Sequence, residues 1–142
     1  MEKIAIVYWS GTGNTEKMAA AVAEGAKAAE TEVSLTEVGK AAKAEVLGAD
    51  AIALGCPAMG AEVLEEDEME PFVQALESAI SGKRLALFGS YDWGDGQWMR
   101  DWEERMKGCG AILADSGLIV HNTPDEDGLS QCRELGRKLA GL

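Results

Sequence analysis

No apolar run in this chain of 142 residues reaches the roughly 18 needed to cross a bilayer, and the N-terminus has no basic segment followed by an apolar stretch and a cleavage site. A cytoplasmic protein without a membrane partner is expected. Basic residues are scarce: 13 Lys and Arg stand against 25 Asp and Glu, a net charge of -12. Nucleic acid and anionic lipid repel such a surface, whereas a basic protein is drawn to it. Cysteine is sparse too. Cys56, Cys109 and Cys132 form no CxxC pair, and an odd number suits neither a disulfide framework nor a typical zinc site. Buried or incidental thiols are expected, and no metal site. His121 is the one histidine, expected at the surface rather than as a general acid.

Internal repeats and low-complexity linkers are also missing, so residues 1–142 are expected to form one domain. Ile4 to Tyr8, Ala51 to Gly55 and Leu85 to Gly89 are continuous apolar runs, the pattern of parallel strands covered on both faces. Val33 and Leu35 alternate with polar neighbours, as on an edge strand, and the segment from Gly39 to Gly48 suits a short helix. Ala111 to Ala114 and Leu118 to Val120 read as a last strand, broken around Asp115-Ser116-Gly117. Helical spacing marks 16–29, where Met18, Val22 and Ala26 share a face. It marks a segment with Phe72, Val73, Leu76 and Ile80, another with Met99, Trp102 and Met106, and a closing one with Leu129, Cys132, Leu135 and Leu139. Strands alternating with helices predict an α/β, doubly wound parallel sheet with helices on both faces, whose ligand lies beyond the strand carboxyl ends.

The first such end carries Trp9-Ser10-Gly11-Thr12-Gly13-Asn14-Thr15, between the first strand and the first helix. Small hydroxyl and amide side chains alternate with two glycines, so backbone N–H groups converge where a helix start adds its positive end. A phosphate fits there without a lysine. The turn lacks the Gly-Lys pair of GxxxxGK[ST], and Glu16 stands where GxGxxG needs its third glycine, which excludes the nucleoside triphosphate and dinucleotide readings. Taken alone, the segment could equally be a turn capped by Thr15. The next two strand ends open into Cys56-Pro57-Ala58-Met59-Gly60-Ala61-Glu62 and Ser90-Tyr91-Asp92-Trp93-Gly94-Asp95-Gly96. Met59 and Trp93 lie outside the periodic core pattern. Either alone reads as filler, but together, after adjacent strands, a thioether and an indole can enclose a flat aromatic ligand.

These three segments, taken with Tyr8, Gly55 and Phe88-Gly89 beside them, look like the short-chain flavodoxins of anaerobic bacteria, over essentially the whole chain. The resemblance implies a flavodoxin-like five-stranded sheet of order 2-1-3-4-5 and non-covalently bound FMN. It implies a low-potential one-electron carrier between redox proteins, with no substrate turnover of its own, acting as a monomer. Carried over by position, Ser10, Thr12, Asn14, Thr15 and Ser90 would bind the phosphate, Met59 and Trp93 would flank the isoalloxazine, and Glu62 would accept from flavin N3–H. Gly11, Gly13, Pro57, Ala58, Gly60, Tyr91, Asp92 and Gly94 complete the expected site. On reduction the peptide after Met59 would flip, its carbonyl accepting from protonated N5, with Gly60 permitting the turn. Asp92 departs from the pattern, since relatives commonly carry glycine there; it either alters the loop or faces solvent. The acidic run Glu62, Glu65, Glu66, Asp67, Glu68 and Glu70 would steer basic-surfaced partners, a solvated helix start being the bland alternative.

A phosphate-accepting receiver domain shares this topology but needs acidic residues where Tyr8 and Trp9 stand and a lysine where His121 and Asn122 stand. A small FMN-dependent reductase of the same fold remains as an alternative, needing a substrate pocket over the ring where Trp93 is expected. A flavin-binding or storage protein without carrier activity remains as the other.

Overall fold

The computed structural model describes residues 2–27 and 30–141. The continuous apolar runs form the central strands: β1 spans Glu2–Tyr8, β3 Ala51–Gly55 and β4 Arg84–Tyr91. Every residue of β3 is buried, as a strand covered on both faces requires. Among the described residues the edge strand β2, Thr31–Glu37, pairs only with β1; Val33 is half-buried between exposed neighbours, but the alternation expected to continue at Leu35 breaks there, that side chain being 42% exposed at the sheet edge. The order is β2-β1-β3-β4 and then β5 (Ile112–Leu113), all parallel; β6 (Leu118–His121) pairs β4 beyond β5. Two short segments thus share the fifth position of the expected 2-1-3-4-5 sheet. Between them Asp115 turns the chain by accepting from the Ser116 N–H at 2.8 Å, and Lys138 holds its other oxygen at 2.6 Å.

Helix α1 (Asn14–Ala26) starts two residues earlier than its periodicity suggests and ends at Ala26; positions 28 and 29 of the expected helix lie outside the described residues. The segment expected as one short helix divides into a 3₁₀ turn at Val38–Lys40 and α2 at Lys43–Leu47. α3 spans Met69–Glu77, so Ile80 lies beyond the helix, though still fully buried. α4 (Gln97–Gly108) and α5 (Glu126–Leu139) complete the set. Among the described residues no helix is long and apolar enough to cross a membrane.

Strand alternation divides the apolar residues between two layers. Ile4, Ile6, Ala53 and Phe88 pack on Met18 and Val22 of α1 and on Cys132, Leu135 and Leu139 of α5. Val7, Ile52, Leu54 and Leu87 pack on Val73 and Leu76 of α3 and on Trp98, Trp102 and Met106 of α4. Both buried thiols, Cys56 and Cys132, are pushed up to about 12 by burial, which keeps them uncharged and inert.

On the first face two glycines let the helices approach closely. A Cβ on Gly25 of α1 would overlap the Arg133 carbonyl of α5, and one on Gly136 of α5 would overlap the Val22 carbonyl of α1. Neither obstacle is a flexible side-chain tip, so the helices themselves would have to separate. Gly136→Ala is therefore expected to lower stability by roughly 1–3 kcal/mol, the ordinary cost of overpacking. Gly108→Ala is the control, since nothing lies within 4 Å of an added Cβ there and alanine favours a helix by up to about 1 kcal/mol. Urea unfolding of both variants decides the matter; equal stabilities would show that the α1–α5 contact is not the constraint.

Candidate functional site

Because β1, β3 and β4 are neighbours running in one direction, the loops leaving them open at the same edge. The pairing continues past the strands: Trp9 N–H donates to the Gly55 carbonyl at 3.0 Å, Cys56 N–H to Phe88 at 3.1 Å and Ala58 N–H to Ser90 at 3.0 Å. Between the loops lies a cavity of about 190 Å³ lined by Gly11, Thr12 and Asn14, by Pro57, Ala58 and Met59, and by Ser90, Tyr91 and Asp92, with Trp9 as a further wall.

The first loop is shaped by its own small side chains. Ser10 Oγ accepts from the N–H groups of Gly13 at 3.1 Å and Glu16 at 3.3 Å, curling the chain before the helix. Gly13 precedes α1 with φ of 94°, a left-handed conformation open to glycine. Thr12 Oγ1 accepts weakly from Asn14 N–H at 3.5 Å. Among the described residues the N–H groups of Gly11, Thr12 and Thr15 have no partner. The Thr15 and Ser90 hydroxyls, both buried, lie 3.1 Å apart and tie the first loop to the third.

Nine of the sixteen expected site residues line the cavity. Ser10, Gly13 and Thr15 stand behind it, shaping the first loop as described. The others differ from expectation in instructive ways. Trp93 does not line the cavity, being 62% exposed; Trp9 and Tyr91 are the aromatic residues in its wall. Trp93 and Gly94 donate no hydrogen bond among the described residues, and Gly94 turns with φ of 88°. Glu62 also lies outside the cavity. Its Oε1 accepts from the N–H groups of Gly96 at 3.2 Å and Gln97 at 3.1 Å, so the second loop caps the start of α4. Gly60 is exposed at the tip of the second loop with φ of 46°. The Met59 carbonyl is already engaged, accepting from Val63 N–H at 3.0 Å while Val63 accepts from Met59 N–H at 2.9 Å. A flip at that peptide would break this bond, an obstacle that motif matching could not reveal.

The acidic run divides as well. Glu62 caps α4, Glu65 is buried, and Glu70 takes two hydrogen bonds from Arg105 at 2.8 and 2.6 Å. That guanidinium holds the Glu70 carboxyl below its ordinary value. Only Glu66, Asp67 and Glu68 remain exposed. Trp9 is the one cavity wall missing from the expected set; its place beside the phosphate-type turn was the available signal.

With the geometry in view, comparison with known proteins is direct. The family model described as Flavodoxin matches residues 6–136. The chain is 53% identical over 137 residues to a flavodoxin of Clostridium beijerinckii, covering 96% of this chain and 99% of that protein. It is 43% identical to a flavodoxin of Megasphaera elsdenii, covering 96% and 98%. The solution structure of the two-electron reduced Megasphaera elsdenii flavodoxin superposes with a TM-score of 0.87 at 42% identity, covering 98% of this chain and 99% of that one.

Glu65 organises the segment after the second loop. Its carboxylate accepts from the N–H groups of Asp67 at 2.8 Å, Glu68 at 2.7 Å and Met69 at 3.0 Å, satisfying the free donors at the start of α3. Burial pushes this carboxyl up, but the three N–H bonds outweigh burial and leave it below its ordinary 4.5. A depressed folded-state value means that the stabilisation is complete above about pH 4.5 and is lost as the pH falls through the folded value. Glu65→Gln is expected to be less stable by about 1–2 kcal/mol at pH 7. In thermal unfolding followed from pH 7 to pH 3, that deficit should shrink below about pH 4.5. A deficit independent of pH would show that shape, not charge, makes the cap.

Proposed function

The chain belongs to the flavodoxin family, an FMN-containing electron carrier rather than an enzyme, and from that premise we infer how its loops hold the cofactor and meet partners. The observation that carries the reading is the pair of N–H groups on Gly11 and Thr12 that have no partner among the described residues, in the wall of a cavity also lined by Met59 and Tyr91. A donor-rich end without a lysine and an apolar, aromatic end suit one ligand that joins a phosphate to a flat ring.

In this reading Gly11, Thr12, Asn14 and Thr15 take the phosphate with Ser10 and Ser90 shaping the cradle. Met59 covers one face of the ring. Trp93, next in the chain to the cavity residue Asp92, covers the other. Pro57, Ala58, Gly60, Tyr91, Gly94 and the turn residue Gly13 complete the binding loops. Glu62 retains a carboxylate oxygen without a partner among the described residues, which leaves it able to accept from a ring N–H while it caps α4. FMN, when bound, supplies the one-electron chemistry; the chain supplies position, exclusion of water and charge.

The phosphate half of this reading is tested by titrating the purified protein with FMN and with riboflavin, which lacks the phosphate. Binding of FMN at least tenfold tighter than riboflavin is expected, since several charge-assisted N–H bonds depend on that group. Equal affinities would remove the cradle's role.

The carboxylates set the rest. Asp92 in the cavity wall disfavours added negative charge, so a low potential is expected. Asp92→Asn should raise the potential for the second electron by about 10–40 mV, the worth of one exposed charge, measured by spectroelectrochemistry at neutral pH. The partners are redox proteins, and the acidic surface suits basic ones in the cytoplasm, met by a monomer. Glu66, Asp67 and Glu68 are the exposed remainder of the acidic run, so neutralising them should slow association with a basic redox partner at low salt. The difference should vanish near 1 M salt, where the screening length is about 3 Å. A stopped-flow salt series that leaves the two proteins apart at high salt would assign docking elsewhere.

A further inference from the structure

We propose that His121 is a positioning residue for the third loop, its Nε2–H on the Asp92 carbonyl fixing the segment Asp92-Trp93-Gly94 at the mouth of the cavity. The imidazole lies outside the cavity and outside every motif of the chain. It closes β6, in register with Tyr91. His121 Nε2 is 2.9 Å from the Asp92 carbonyl oxygen. A carbonyl only accepts, so this nitrogen carries the proton. The next residue works with it. Asn122 adopts φ of 58°, a left-handed conformation that asparagine tolerates, and its N–H donates to the Tyr91 carbonyl at 2.8 Å. Two successive residues of β6's end thus clamp two successive carbonyls at the point where β4 becomes loop.

Aromatic contacts brace the clamp. The His121 and Tyr91 rings stand 5.0 Å apart, tilted by 45°, and Tyr91 rests at 5.8 Å on Trp98, which is buried against the sheet. The far end of the loop is also held. Glu62 takes the Gly96 and Gln97 N–H groups, and Arg100 grips the Asp95 carbonyl and carboxylate, each at 2.9 Å. Between the two anchors Trp93 and Gly94 donate no hydrogen bond among the described residues. Removing the His121 contact therefore leaves Asp92-Trp93-Gly94 unheld between the Asn122 bond to Tyr91 and the anchors at Asp95 and Gly96, and Asp92 and Trp93 are the side chains that segment carries. His121 is exposed and belongs to neither core layer, and its ring reaches the layer of α3 and α4 through the half-buried Tyr91.

The proposal rests on the reading that this loop meets FMN, and the test separates the two. His121→Phe keeps a ring beside Tyr91 but has no donor; His121→Gln keeps an N–H donor without the ring. The purified proteins are titrated with FMN, and amide exchange is followed residue by residue. Expected for His121→Phe is FMN binding weakened about two- to tenfold, the ordinary reach of one hydrogen bond, with faster exchange confined to the bonded amides that anchor the loop, Asn122, Gly96 and Gln97. His121→Gln should restore both. The proposal is overturned if His121→Phe matches the parent protein in both measurements, if only His121→Gln is impaired, or if exchange quickens throughout the sheet. If the parent protein does not bind FMN, the functional reading fails, and the exchange pattern still decides the clamp.

Discussion

The site depends on the backbone pairing of β1, β3 and β4 continuing beyond the strands. Three hydrogen bonds of 3.0 to 3.1 Å run from Trp9, Cys56 and Ala58 to Gly55, Phe88 and Ser90 of the neighbouring strand, at or past the strand ends. Trp98 extends the same framework by donating its indole N–H to the Cys56 carbonyl at 3.1 Å, and Gly89 has no Cβ because one would overlap that carbonyl. The bases of all three loops are thereby fixed by buried polar groups whose loss would leave unpaired donors and acceptors in the core. Their tips carry few bonds. A carrier gains from this division, because a ligand meets preorganised donors while its outer edge stays open to partners.

Carboxylates do much of the remaining construction, in a chain with far more of them than cations. Glu62 closes the start of α4 from another loop, Glu65 closes the start of α3 from within its own segment, and Asp125 closes α5 by accepting from Gly128 N–H at 2.8 Å. Each sets a negative group on the positive end of a helix. The Glu62 cap has a further effect, since it joins the second loop to the third through side chain to backbone bonds. Charge and architecture are therefore linked at the mouth of the cavity.

Much of this was legible beforehand because it rests on composition of short segments. Continuous apolar runs identify β1, β3 and β4, and polar, glycine-bearing loops after them identify the edge where a ligand lies. The interruption at Asp115-Ser116-Gly117 was visible too, although its consequence, two segments sharing one strand position, depends on how each pairs with β4. Side-chain engagement was not legible. That Glu62 caps α4 is decided by residues more than thirty positions away, and periodicity carries no such information. The same holds for His121, whose partner lies 29 positions earlier, and for Glu65, which shares an acidic run with exposed neighbours yet is 6% exposed. Motif position marks Trp93 as a site residue but not its exposure of 62%, which composition does not carry.

The acidic run after the second loop shows how negative charge can gather beside the cavity at little cost to folding. Negative charges crowded on a sheet edge would repel one another and destabilise the compact state. Placed just before α3 and in its first turn, they meet the free N–H groups and the positive end of a helix, which offset the repulsion. Glu65 takes the donors directly, and Glu70 is neutralised by Arg105, which also bonds Glu77 at 3.2 Å. The buried member and the paired member stabilise the turn, leaving Glu66, Asp67 and Glu68 exposed on a rigid support. Their position next to the cavity is then a consequence of topology, since α3 must follow the loop that leaves the central strand β3.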